Sequence, residues 1–238
     1  MRLLLTSDWQ VDSHNLDLCE IMLAELLTAA DKYKPDCLVH AGDVKEAYSP
    51  VPVPVVQFSV RAVKAITAKH RLIVMKGNHD RIAQSADSTS WLDILKVAGA
   101  EVVSTPKVKV VSKVGGTTLL PFPAKTGVLA FLPFQHDKSV VPAMAKELRI
   151  QTQQALEKHE LEKSVLIFHD EVQGQAGFRG NSGLALRELR AAKYSGCFGG
   201  HVHLHQNIPG TNTWFIGSPF CQDWSESNQT KGLLLVDV

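Results

Sequence analysis

Hydrophobic and polar positions divide the chain into two textures. Up to about residue 100, short apolar runs alternate with longer stretches of helical spacing. Arg2–Thr6 reads as a buried strand. Residues 16–33 carry a helical stripe at Leu16, Ile21, Leu23, Leu26 and Leu27. Asp36–Ala41 predicts a second strand. The repeated prolines Pro50, Pro52 and Pro54 predict a stiff loop leading into a helix over about 55–69. Arg71–Lys76 predicts a third strand and residues 90–97 a short helix. After Gly99 the runs are short and β-like: Glu101–Ser104, Lys107–Ser112, Thr117–Leu120 and Val128–Leu132, with Val114-Gly115-Gly116 as a hairpin turn. A long helix over 139–162 follows, then a strand at Val165–Phe168. Asn181 or Ser182 would cap a helix ending near Ala192. Strands are expected at Cys197–Gly199, Thr213–Ile216 and Gly232–Val236.

This order predicts one α/β domain over residues 1–238, with mixed sheets packed together and helices outside. At 238 residues, 45% of them apolar, the chain can bury a sizeable core. A formal net charge of +1, with no basic tail, gives no electrostatic footprint for nucleic acid, so any such partner has to be argued from a site. The apolar runs are too short to span a bilayer. Leu3-Leu4-Leu5 followed by Thr6-Ser7-Asp8 makes a poor signal peptide and a good first strand. Four widely spaced cysteines without a C-x-x-C predict reduced thiols in a cytoplasmic protein.

Polar residues concentrate where the strands end. The ends carry Ser7-Asp8-Trp9-Gln10, His40-Ala41-Gly42-Asp43, Gly77-Asn78-His79-Asp80, His169-Asp170 and Gly200-His201-Val202-His203. Ligands bind outside the carboxyl ends of strands in open α/β sheets, so five such ends would meet at one edge. Carboxylate, carboxamide and imidazole together suit Mn, Fe or Zn rather than a thiolate site. Two such metals can clamp a phosphoryl group and generate a hydroxide near neutral pH.

In this order, D-x-[H/Q], G-D, G-N-H-D, H and G-H-x-H resemble the calcineurin-like metallophosphoesterase family over nearly the whole chain. The G-H-V-H motif, Gly217-Ser218-Pro219, Glu226, Lys231-Gly232 and Leu132-Pro133-Phe134 are similar to the SbcD-type nucleases of DNA repair and recombination. The resemblance implies a four-layer sandwich, two mixed β-sheets flanked by helices. It implies one metal on Asp8, Gln10, Asp43 and His203 and a second on Asp43, Asn78, His169 and His201, with Asp43 bridging. His79 would contact the phosphate and protonate the leaving oxygen, and Asp80 would orient its ring. Mn²⁺ is the expected ion, with Mg²⁺, Fe or Zn²⁺ as alternatives. Expected partners are DNA or another phosphodiester, an SMC-like ATPase subunit and a second copy of the chain, but no membrane.

Two residues depart from that pattern: Gln10 stands where a histidine is usual, and Glu46 stands three residues after Asp43, where SbcD-type nucleases often carry histidine. The chain also stops just after the last expected strand, where a DNA-capping domain and an ATPase-docking segment would follow. A carboxamide oxygen at Gln10 is a weaker, harder donor than imidazole, so that metal should be the looser one and favour Mn²⁺. Lys45, Arg81 and His205 are candidate substrate contacts, although charged loop residues are commonly just solvated. Trp9, Phe220 and Trp224 read as core residues, with base stacking the lesser alternative. Taken singly, Asp8 is also a capping residue and Asn78 a turn former. Three functions follow: a Mn²⁺-dependent DNA nuclease, a phosphatase or phosphodiesterase for nucleotides or phosphoproteins, and an inactive scaffold of the same fold.

Overall fold

In the computed structural model, strands of continuous apolar sequence alternate with helices that cover them. Residues 1–46, 48, 50–82, 90–112, 125–176, 184–191 and 193–238 are described. The expected turn at Val114-Gly115-Gly116, the strand Thr117–Leu120 and the Asn181/Ser182 cap lie outside them.

In chain order the elements are β1 (Arg2–Thr6), α1 (Leu16–Tyr33), β2 (Cys37–His40), α2 (Val53–Thr67), β3 (Leu72–Met75), α3 (Asp93–Val97) and β4 (Glu101–Val103). They continue with β5 (Lys107–Ser112), β6 (Lys125–Leu132), α4 (Val141–His159), β7 (Ser164–His169) and α5 (Leu186–Ala191). The last are β8 (Gly196–Gly200), β9 (Gln206–Asn207), β10 (Thr213–Phe215) and β11 (Leu234–Asp237). Two sheets result, ordered β11-β1-β2-β3-β4 and β5-β6-β7-β8-β10-β9. β1 through β4 run parallel, and β11 closes the edge antiparallel to β1. β6, β7, β8 and β10 are parallel, with β5 and β9 antiparallel at the margins.

Strand periodicity sorts side chains into layers. Leu4, Leu38, Leu72 and Val74 pack under α1, α2 and α3 with Leu26, Phe58 and Leu95. Their neighbours Leu3, Leu5, Val39, Ile73 and Met75 face the second sheet and meet Leu129, Phe131, Val165 and Ile167. On the far side Leu132, Leu166 and Phe168 pack with Leu148 of α4 and Leu189 of α5. Strands buried on both faces lose polar alternation, which is why they read as unbroken apolar runs. The expected four-layer sandwich is the one observed.

Some local expectations are corrected. α2 begins at Val53, before Pro54 rather than after it, because proline in a first helical turn lacks only an N–H that has no partner there. α1 has the expected limits, but Cys19, Met22, Leu23, Leu26 and Ala30 face inward while Ile21 is 59% exposed. That inward set keeps the three-to-four spacing, and Ile21 falls off it. Pro142 lies in the first turn of α4, after a 3₁₀ turn at Lys138–Val140. β9, two residues long, was not foreseen. All four cysteines are free, three of them buried. Among the described residues, no helix is long and apolar enough to cross a membrane.

Candidate metal centre

The loops leaving β1, β2, β3, β7 and β8 meet. The first two run side by side: Asp8 N–H donates to the Gly42 carbonyl (2.9 Å), Gln10 N–H to Asp43 (3.1 Å) and Val11 N–H to Val44 (2.9 Å). Asp8, Gln10, Asp43 and His201 all hold left-handed backbone, with φ of 52°, 42°, 62° and 81°. Non-glycine residues rarely adopt it, and such strain concentrates at functional sites. The loops also need Gly200, where a Cβ would fall 2.1 Å from Ser7 Oγ and 2.8 Å from His169 Nδ1.

The tighter half of the centre is built on Asp43. Its Oδ2 lies 3.1 Å from His169 Nε2. Asn78 Oδ1 lies 3.0 Å from the same nitrogen and 2.8 Å from His201 Nδ1. Among the described residues, donor atoms of Asp43, His169 and His201 all fall within 4.8 Å of one another. His169 Nδ1 is 2.7 Å from the Ala41 carbonyl, which only accepts, so Nδ1 carries the proton and Nε2 faces the cluster. Burial penalises charge on both partners of the Asp43–His169 pair. Their mutual attraction outweighs it, holding Asp43 below the usual carboxylate range and raising His169 to about 9. Burial, reinforced by His169, pushes His201 down to about 3.

The other half brings Asp8 and His203 together, with the Gln10 backbone alongside. Asp8 is fully buried, and both its carboxylate oxygens accept the His201 N–H at 3.1 Å. Burial, with Asp43 nearby, raises its pKa. His203 Nε2 is 4.0 Å from Asp8 Oδ1, and its Nδ1 is 2.7 Å from Glu226 Oε1. Glu226 is itself tied to Lys231 Nζ (2.7 Å) and to Gln222 N–H (3.0 Å). Gln222 Nε2 donates to the Asp8 carbonyl at 3.1 Å. Gln10 is buried, with its N–H on Asp43 and its carbonyl accepting Asn15 Nδ2 at 3.0 Å.

This donor set fits divalent cations. Carboxylate, carboxamide and imidazole groups converge, each histidine has a proton-fixing partner or a shared oxygen, and donors about 2.0–2.2 Å from an ion sit about 3–4 Å apart.

A family model described as calcineurin-like phosphoesterase matches residues 1–205. The chain belongs to that family. A solved relative, the crystal structure of TT1561 of Thermus thermophilus, aligns with a TM-score of 0.50 at 11% identity, covering 91% of this chain and 89% of that one. That likeness concerns the fold alone. No curated protein gives a significant match. Membership of the phosphoesterase family implies divalent metal ions and supports metal-dependent hydrolysis of phosphoesters. Every expected ligand of this phosphoesterase falls within the matched span, whereas Glu226 and Lys231 lie beyond it.

Several side chains make contacts other than those expected, and the hydrogen bonds of the Asp80 carboxylate go to backbone rather than to the His79 ring. That carboxylate accepts the N–H groups of Asp43 (2.8 Å), Val44 (2.9 Å) and Gly77 (2.8 Å), clamping two ligand loops together. Burial, then Asp43, raises it to about 6. The His79 ring instead meets Glu46, whose carbonyl lies 2.8 Å and carboxylate 3.4 Å from Nδ1, and stacks on Tyr48 at 5.2 Å. Lys45, expected at the phosphate, is fully buried and donates to the carbonyls of His79 and Arg81. Arg81 is 4% exposed, with Nε on the Asn78 carbonyl (3.0 Å) and its guanidinium 5.3 Å from the Phe134 ring. His205 remains partly exposed, stacked on Trp214. Trp9 is buried as expected, but Trp224 is 93% exposed, on a 3₁₀ turn whose inward residue is Glu226. Glu46 stood out in the sequence only as a departure from the family pattern, and Tyr48 and Gln222 carried no local signal, because their partners are distant in sequence.

Proposed function

We propose that this phosphoesterase is a phosphodiesterase of the SbcD-like nuclease type, cleaving DNA with two divalent ions, Mn²⁺ by preference. The observation that supports hydrolysis is the convergence of Asp43, Asn78, His169 and His201 beside His79. The nuclease reading draws on Glu226 and Lys231, the residues similar to that branch, which brace His203. One ion would be held by Asp8, Gln10, Asp43 and His203, the other by Asp43, Asn78, His169 and His201. When bound, the ions supply Lewis-acid activation of water and of the phosphoryl oxygens.

The chain's own residues position and protonate. Glu46 fixes the His79 ring by accepting Nδ1–H, which directs Nε2 away from that contact. His79 N–H donates to Asp43 Oδ1 at 2.8 Å, so the acid is spaced from the shared ligand. Histidine suits proton donation to a departing oxygen near neutral pH. Asp80 and Lys45 keep the loops of Asp43 and His79 in register.

A second reading, a phosphatase or phosphodiesterase for nucleotides or phosphoproteins, is favoured by the net charge of +1. A Mn²⁺ assay on single-stranded DNA, nicked DNA and bis-p-nitrophenyl phosphate separates the two: DNA left intact while the small diester is cleaved ends the nuclease reading. His79→Ala should lower turnover about 10²–10⁴-fold. Equal residual turnover in wild type and variant would leave an inactive scaffold. The nuclease reading includes a homodimer through α1 and α2, where Leu18, Ile21 and Val53 are exposed, and light scattering measures it directly.

A further inference from the structure

One cavity borders the centre without containing any of its expected metal ligands. It measures about 140 Å³ and lies between His205 and Ile216 on one side and residues 230–234 on the other. Ile216 follows β10 and Leu234 opens β11, so it sits where the edge strand of one sheet approaches the strand next to the edge of the other. Its connection to His203 is direct. Lys231, in its wall, donates to the His203 carbonyl at 3.0 Å. Gly217 is pressed so closely on this stretch that a Cβ there would lie 3.0 Å from His203 O and 2.9 Å from His205 N.

Size and chemistry narrow the occupant. A single water needs about 10–15 Å³ of such volume, and a drug-sized ligand about 300–1,000 Å³. The slot therefore takes one small ring system, not a dinucleotide or a peptide. Its walls are largely uncharged: Ile216, Leu233, Leu234 and Thr230. The one ammonium, on Lys231, is already bonded to His203 O, Ser218 Oγ, Glu226 Oε2 and Gln229 Oε1, so a second phosphate finds no unengaged cation there. His205 lies flat against Trp214, with centroids 5.8 Å apart and planes at 21°. Its Nδ1 is 3.1 Å from the Ile216 carbonyl, which can only accept, so the proton is on Nδ1 and Nε2 is left as an acceptor. A flat aromatic ring carrying an N–H donor matches this lining.

We propose that the slot binds the nucleobase beside the scissile phosphate, with His205, backed by the stacked Trp214 ring, as its aromatic wall. The proposal rests on the phosphodiesterase reading and adds the substrate feature that the enzyme recognises. The larger hollow between α4 and α5, about 360 Å³ and bordered by Lys146, Arg149 and Arg187, has no expected ligand in its lining.

The test compares two esters with one leaving group, thymidine 5′-p-nitrophenyl phosphate and ethyl p-nitrophenyl phosphate, in Mn²⁺. Loss of one base stack should lower the ratio of their kcat/KM values about tenfold in Thr230→Trp, which fills the slot, and in His205→Ala. An unchanged ratio, or an equal fall for both esters, overturns the proposal. If Thr230→Trp fails to fold, His205→Gln carries the same comparison. If the wild type cleaves neither ester, the phosphodiesterase reading fails, and the slot is judged by binding instead. Thymidine monophosphate should quench tryptophan emission in the wild type but not in Trp214→Phe, and absence of quenching in the wild type overturns the proposal.

Discussion

The Asp43 half of the centre is assembled by strands that neighbour one another or face each other across the sandwich, whereas the Asp8 half draws on opposite ends of the chain. In the first, His169 stands at the end of β7, and donor atoms lie 2.8–3.1 Å apart. In the second, His203 is 4.0 Å from Asp8 and takes its orientation from Glu226, on the turn before β11. Rigid sheet ends pre-arrange the first cluster of donor atoms. The other depends on a chain of hydrogen bonds, Lys231 to Glu226 to His203 and Gln222 to Asp8. The difference predicts two unequal affinities, with the weaker ion the one held by Asp8, Gln10 and His203.

Asp43→Asn strikes both halves at once. Activity should drop about 10³-fold, since metal-assisted charge stabilisation is worth several kcal/mol and each ~1.4 kcal/mol is tenfold. Calorimetry should show both ion sites weakened; one surviving site of wild-type affinity would refute a shared ligand. Glu226→Gln should strike only one half. Removing a histidine's supporting carboxylate costs about 10–100-fold in metal affinity, so one of two binding steps should weaken while the tighter one holds. Equal weakening of both steps would mean that the halves are not separable.

Gln10→His should tighten the weaker step by less than that ~10–100-fold, because it exchanges one neutral donor for a stronger one. Equal Mn²⁺ affinity in variant and wild type would remove Gln10 from the ligands. The smallest effect lies outside both halves and calibrates them. Arg71 and Lys109 outweigh burial at Glu101 and hold its pKa at about 2, below the unfolded value of a glutamate. Its contribution is therefore present above the unfolded value and lost as pH falls towards 2. Discounted for solvent, it is about 0.5–1 kcal/mol. Glu101→Gln should melt slightly below wild type at pH 7, and the gap should close in acid. A gap that persists at pH 2 contradicts the ion pair.

Strand ends were legible because their signal is local: an apolar run, then polar ligand types next to glycine. Limits of α1 were legible for the same reason. Roles that depend on contact between distant loops were not. Asp80 follows His79 in sequence, yet its hydrogen bonds reach back to Asp43 and Val44. Lys45 looks like a surface charge until the carbonyls of His79 and Arg81 close over its ammonium. The two-residue β9 has no apolar run to announce it, since it is only an edge for β10. Trp224 shows the opposite failure, an aromatic residue whose composition suggests burial and whose turn leaves it in solvent.

The bond between Gln222 and Asp8 joins residues 214 positions apart. During synthesis at about 5–20 residues per second, Asp8 leaves the ribosome some 10–40 s before the turn that braces its half of the centre. Ligand loops of the Asp43 half become complete once β8 has emerged. A nascent chain thus completes the loops of the Asp43 half before the bonds that brace the Asp8 half can form.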